Sequence, residues 1–173
     1  MTSNSKTART LSRAGVTVAL ALLATGCSPP ERPLVAIGRG PDGDVRTLLH
    51  PCSDDDRIRE VVLLRIDEKG DKADPANLGD WSAQLPGTAS GDQEFSVFSL
   101  PKDWQGTAGS ATTLAPDRDY SVWFVVGPND TVRYKGVTSF TRADVEGLPP
   151  GQWWADGKAM SRAEFRAHAD DAC

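Results

Sequence analysis

Histidine, cysteine and positive charge are all scarce in this chain, and each shortage closes off a class of function. Among 173 residues there are two histidines and three cysteines. His50 and His168 stand at no spacing from which zinc sites are built. Lys and Arg total 19 against 24 Asp and Glu, a balance that disfavours nucleic acid and bare anionic lipid as partners. No phosphate-binding G-x-x-x-x-G-K loop is present, and Gly87-Thr88-Ala89-Ser90-Gly91 carries its serine one place too late for a hydrolase nucleophile elbow. Long apolar runs are missing too. Ala14 to Ala24 covers eleven residues, against the roughly 20 that a membrane-spanning helix needs.

What the N-terminus does have is the three-part layout of an export signal. Lys6, Arg9 and Arg13 form a basic start, Ala14 to Ala24 an apolar core, and Thr25-Gly26 a pair of small residues before Cys27. The stretch from Leu23 to Cys27 resembles the cleavage box of bacterial lipoprotein precursors. Gly26 and Cys27 match it, Thr25 is acceptable, and Ala24 stands where that family prefers leucine. The resemblance implies removal of residues 1–26, covalent lipid such as palmitate on Cys27, and a protein anchored in the bilayer on the extracytoplasmic side of the cell membrane. The alternative is an ordinary signal peptide with a cysteine near the cut. Twin arginines are absent, so export of an unfolded chain is expected.

Removing the signal sharpens the rest. All 24 acidic residues but only 16 of the 19 basic ones follow Cys27, a mature net charge of −8. Cys52 and Cys173 are then the only thiols left, and outside the cytoplasm two thiols in one small domain usually pair. A bridge between them closes a loop of about 120 residues and stabilises by roughly 4 to 5 kcal/mol in the chain-entropy account. The competing reading, a Cys52 nucleophile assisted by His50, suffers from the rigid His50-Pro51-Cys52 tripeptide and the lack of a third member.

Residues 27–33 hold the lipidation site and a proline-rich tether, Ser28-Pro29-Pro30-Glu31-Arg32-Pro33, stiff and extended at about 3.1 Å per residue. Residues 34–141 then alternate short β-branched and aromatic runs with Gly, Pro and Asp turns. Strands are expected near Leu34 to Gly38, Val45 to Leu49, Ile58 to Ile66, Trp81 to Leu85, Phe95 to Leu100, Asp119 to Val126 and Val132 to Phe140. The third also has helical spacing behind Asp54, Asp55 and Asp56; its compact Val61-Val62-Leu63-Leu64 run favours strand.

Leu114-Ala115-Pro116-Asp117-Arg118-Asp119-Tyr120, followed by the alternating Ser121 to Val126, resembles the corner signature of fibronectin type III and immunoglobulin-like domains. The resemblance implies a seven-stranded immunoglobulin-like β-sandwich, mainly β in class, with Tyr120 buried and its hydroxyl paired to backbone a few residues upstream. Tyr120, Val122, Phe124 and Val126 then face the core, and Gly127-Pro128-Asn129-Asp130 turns the chain into the last strand.

Residues 142–173 read as an extension: a hairpin turning at Asp156-Gly157, and a short helix to about Ala172 behind the capping box of Ser161 and Glu164. Asp170 and Asp171 oppose that helix's dipole, so it should rely on docking through Phe165 and Ala169 and on Cys173. The extension is expected to cover Trp123 and Val125, which point outward. Trp153 and Trp154 have two readings: a ligand platform for an envelope glycan or protein, or a small second cluster of packed rings.

Other motifs carry less. Gly38-Arg39-Gly40-Pro41-Asp42-Gly43 spells a dinucleotide-binding pattern, but the turn residues and the strand after it predict a hairpin where that pattern needs a helix. Asp54-Asp55-Asp56 lacks the spaced ligands of a calcium loop. Glu60, Asp67 and Glu68 could act as acid and base only if a cleft gathered them. No catalytic residue, metal ligand or cofactor is assigned. The expected function is a non-catalytic binding or structural module of the cell envelope; the alternative is a small carboxylate-based hydrolase of envelope polymers.

Overall fold

The computed structural model describes residues 28–66, 81–87, 89–107, 111–127 and 131–173. The expected export signal with Cys27, the carboxylates Asp67 and Glu68, Thr88, and the expected turn residues Pro128, Asn129 and Asp130 lie outside the described residues. Strands β1 (Glu31–Arg32), β9 (Tyr134–Thr141), β8 (Asp119–Val126), β4 (Ile58–Ile66), β5 (Trp81–Gln84) and β7 (Gln105–Thr107) form one sheet in that order. A second sheet runs β11 (Lys158–Ser161), β10 (Gln152–Ala155), β2 (Val35–Arg39), β3 (Val45–Leu49) and β6 (Gln93–Ser96). Two helices complete the fold, α1 (Arg142–Glu146) and α2 (Arg162–Asp171). Among the described residues no helix is long and apolar enough to cross a membrane.

Alternation along the strands explains why the sheets pack face to face. On β8, Tyr120, Val122, Phe124 and Val126 are buried, and Phe124 and Val122 sit opposite Val61 and Leu63 of β4. Leu34, Val35, Ile37 and Leu49 belong to the same core. Gly136 stands opposite Phe124 on β9, and a side chain there would run into the Phe124 ring. The glycine thus makes room for the largest fully buried group of the sheet.

Tyr120 is 6% exposed and stacks on Phe140 with ring centroids 5.6 Å apart. The backbone N–H of Ala115 donates to its hydroxyl at 2.8 Å. The corner expected from sequence is therefore made by a bond five residues long. Ile58–Ile66 is a strand, paired to β8 along its length with an irregularity between Ile58 and Glu60.

The strand count departs from seven: eleven are present among the described residues. Two belong to the C-terminal hairpin, and two more, β1 and β7, were not expected. Glu31–Arg32 pairs in parallel with Lys135 and Gly136, and the Lys135 N–H donates to the Pro30 carbonyl at 3.0 Å. Prolines are tolerated here because the pair lies at a sheet edge. Of residues 27–33, expected as a tether, Glu31 and Arg32 therefore belong to the sandwich. β7 depends on Gly106, which lies so close to the Ser82 and Ala83 backbone that no side chain fits. The fifth expected strand also moves: β6 ends at Ser96, where a Ser99 N–H to Ser96 carbonyl bond turns the chain.

The C-terminal unit forms as the sequence suggests. Asp156 and Gly157 adopt positive φ of 49° and 73° and close the β10–β11 hairpin. Ser161 caps α2 reciprocally with Glu164, and Phe165 and Ala169 are fully buried. Its position differs from expectation. β10 pairs with β2, Trp153 opposite Gly38 and Trp154 opposite Ile37, so the hairpin lengthens the five-stranded sheet and does not cover β8. Val125 is buried nonetheless, and Trp123 is shielded by Lys135, whose ammonium lies 5.5 Å from its ring centroid. The unexpected α1 has its own capping box, Thr141 with Asp144.

Candidate functional site

The registers give the sandwich two distinct ends. Ile58, Val126, Tyr134 and Glu31 lie at one end of the larger sheet; Ile66, Asp119 and Thr141 lie at the other. In the smaller sheet Val35 and Leu49 share the first end, while the Arg39–Val45 turn lies at the second. The first end is cross-linked and has a cleft of about 320 Å³ between Asp55, Arg57, Gly127 and Arg133; the second carries two clefts that meet at Arg39.

At the linked end Cys52 and Cys173 form the expected disulfide, 121 residues apart in sequence with α-carbons 5.4 Å apart. Arg32 stitches β1 to it: Nη1 donates to the Cys173 carbonyl at 2.6 Å and lies 3.4 Å from the Cys52 sulfur. Its guanidinium also lies over the Tyr134 ring, 5.3 Å from the centroid. The Tyr134 hydroxyl accepts from the Cys52 N–H at 2.8 Å and donates to Asp56 at 2.6 Å. Burial holds that phenol above its ordinary acidity range, so it stays a donor. Asp56 is 6% exposed and also paired with Arg133. The third aspartate of the Asp54-Asp55-Asp56 run is thus a buried structural anchor. Among the described residues no group of His, Cys, Asp and Glu is placed to hold a metal ion.

His50 forms a second latch. Its Nδ1 lies 2.6 Å from Asp92 and its Nε2 2.9 Å from Asp170 of α2. Arg166 on the same helix reaches Asp92 at 2.9 Å, and the Phe165 ring meets the imidazole edge-on. Burial opposes charge on His50, but its bonds to Asp170 and Asp92 and the fields of both carboxylates outweigh that and raise its pKa above the ordinary 6.5. For Asp92, burial works against ionisation, and Arg166 and His50 outweigh it, so its pKa falls below the ordinary value. With Cys52 in a disulfide, the histidine has no thiol to activate.

The two tryptophans do not form one surface. As neighbours in β10 they emerge on opposite faces. Trp153 is 8% exposed, packs so tightly over Gly38 that a β-carbon there would meet the ring at 2.8 Å, and carries the Arg162 guanidinium 5.9 Å from its centroid. Trp154 is half-buried and donates its indole N–H to the Ser139 carbonyl at 3.0 Å. That bond joins β10 of one sheet to β9 of the other.

The open end is built from four stretches that sequence reading did not group: the β2–β3 turn, residues 112–114, α1 and the Pro149–Gln152 connection. In the turn, Gly40 donates to Asp44 and accepts from Gly43, whose φ is +80°. The glycine pattern is therefore a hairpin, as expected. One cleft of about 300 Å³ lies between Arg39, Ser96, Phe98, Leu114 and Val145. A second, of about 460 Å³, lies between Arg39, Gly43 and Pro149 to Gln152. Of Glu60, Asp67 and Glu68, the described member Glu60 sits mid-sheet opposite Gln84 and Val125.

No protein family, curated protein or solved structure matches the chain.

Proposed function

We propose that the protein is a lipid-anchored, extracytoplasmic binding module of the cell membrane, with its cross-linked end toward the bilayer and its open end presented outward. One observation carries this reading: the chain that leads back to Cys27 leaves the sandwich at β1, the same end as the Cys52–Cys173 bridge. Between Cys27 and Glu31 stand only Ser28, Pro29 and Pro30. At about 3.1 Å per residue those three span roughly 10 Å, so a lipid on Cys27 holds the linked end close to the headgroups. The loops and clefts at the far end then face the periplasm or the wall. The strand order β2-β3-β6 against β9-β8-β4-β5, together with the Tyr120 bond, supports the immunoglobulin-like reading of the sandwich, whose end loops commonly bind.

The hydrolase alternative needs a carboxylate held protonated near a cleft. Asp92, a partly buried carboxylate whose acidity is displaced, is displaced toward ionisation and spends its oxygens on His50 and Arg166. The test of the anchor is Cys27→Ser. The variant should remain an uncut precursor and incorporate no labelled fatty acid; continued labelling would contradict the reading.

A further inference from the structure

We propose that the 300 Å³ cleft at the open end binds a small organic carboxylate with an apolar body, held through Arg39. The proposal rests on reading the open end as the binding end and names the ligand class it takes. The cleft's volume falls at the lower limit of the roughly 300–1,000 Å³ range of small-molecule sites. Phe98, Leu114 and Val145 supply an apolar lining, Ser96 and Thr113 supply hydroxyls, and Arg39 supplies a cation.

The charges around the cleft are not equivalent. Arg46 reaches Asp44 at 3.5 Å, and Arg142 donates to Glu146 at 2.6 Å, so both acids of the lining are engaged by other arginines. Arg39 has no acidic partner among the described residues and is exposed. Its guanidinium lies over the β2–β3 turn, with Nη2 3.5 Å from where a β-carbon on Gly43 would stand. Arg39 and Gly43 also line the neighbouring cleft, which places the guanidinium between the two concavities. An arginine fork free of a carboxylate is a bidentate donor for a planar oxyanion. Bare phosphate would answer the fork and leave the apolar lining wet. A carboxylate attached to an aromatic or aliphatic body answers both.

The test uses the full chain from a secreting bacterial host, taken in non-ionic detergent from the membrane fraction or without detergent from the soluble fraction. Recovery in the soluble fraction counts against the lipid anchor and leaves the cleft test intact. The probe is 4-fluorophenylacetate followed by ¹⁹F NMR, with 4-fluorophenylacetamide as its neutral analogue and inorganic phosphate as a competitor lacking the apolar body. The expected result is saturable broadening of the acetate signal, with the amide and the Arg39→Gln variant each at least tenfold weaker. Arg39→Lys should fall between wild type and Arg39→Gln, because it keeps the charge and loses the fork. Arg39 is exposed, so these variants keep the fold. Absence of saturable binding, equal binding by Arg39→Gln, or displacement by equimolar phosphate would overturn the proposal.

Discussion

The two ends of this sandwich differ in how firmly they are tied together. At the linked end three arginines tie segments together, Arg32 to Cys173, Arg133 to Asp56 and Arg166 to Asp92, while Arg57 is exposed beside a cleft. At the open end Arg39 lies beside a cleft with no acidic partner among the described residues. The contrast shows where the molecule invests its constraints. Disulfide, buried carboxylate and histidine latch all converge where the first strand enters and the last helix ends, so the terminal segments are locked together. The turns at the other end carry no cross-link of this kind among the described residues.

Disrupting the linked end should have the largest consequence. Replacing both Cys52 and Cys173 by serine removes the constraint on a 121-residue loop and should cost about 2 to 5 kcal/mol. Chemical denaturation of oxidised and variant protein checks the figure, and hydrogen exchange should show α2 losing protection first.

A matched pair of tyrosines sharpens the comparison further. Tyr134→Phe at the linked end removes a hydroxyl that serves both Cys52 and Asp56 and should cost about 2 to 4 kcal/mol, since it leaves a buried carboxylate short of a donor. Tyr120→Phe at the open-end corner removes one bond, from Ala115, and should cost about 1 to 3 kcal/mol. Unfolding midpoints in the reverse order would contradict the assignment of the linked end as the more constrained.

The histidine latch gives a smaller effect with a defined sign. Because the folded pKa of His50 is raised above 6.5, its contribution is complete below that value and is lost as pH rises through the folded pKa. Asp92, lowered from 3.8, contributes above that value and loses its contribution as pH falls through its own folded pKa. The latch is therefore strongest between these two ordinary values, in mildly acidic solution. His50→Gln should flatten the decline of stability above neutral pH, and NMR titration of the imidazole should place its midpoint above that of a free histidine. Arg39→Gln, by contrast, should leave the unfolding midpoint within error while altering ligand binding.

Much of this was legible in sequence where a local rule acts alone. β3 and β8 have the expected bounds because β-branched and apolar runs are closed off by flanking turns, and β8 also alternates from Tyr120 to Phe124. The disulfide followed from there being one pairing to make, and α2 from its capping box and buried Phe165. β1 escaped because two residues beside prolines carry no strand pattern and gain their pairing from β9 alone. α1 had a readable signal in Thr141 and Asp144, a serine-or-threonine box with a shorter acid. The roles of His50 and Asp56 were not legible, since each depends on partners tens of residues away that only the fold brings together.

The central claim is orientation, and energy transfer across the membrane surface tests it directly. A donor fluorophore placed at position 54, at the linked end, or at position 42, in the open-end turn, is measured on lipid-anchored protein in vesicles carrying headgroup acceptors. The nine-residue strand β4 separates the two ends by about 30 Å at roughly 3.3 Å per residue. The account predicts strong transfer from position 54 and weak transfer from position 42. Equal transfer from both positions, or the stronger from 42, would contradict it.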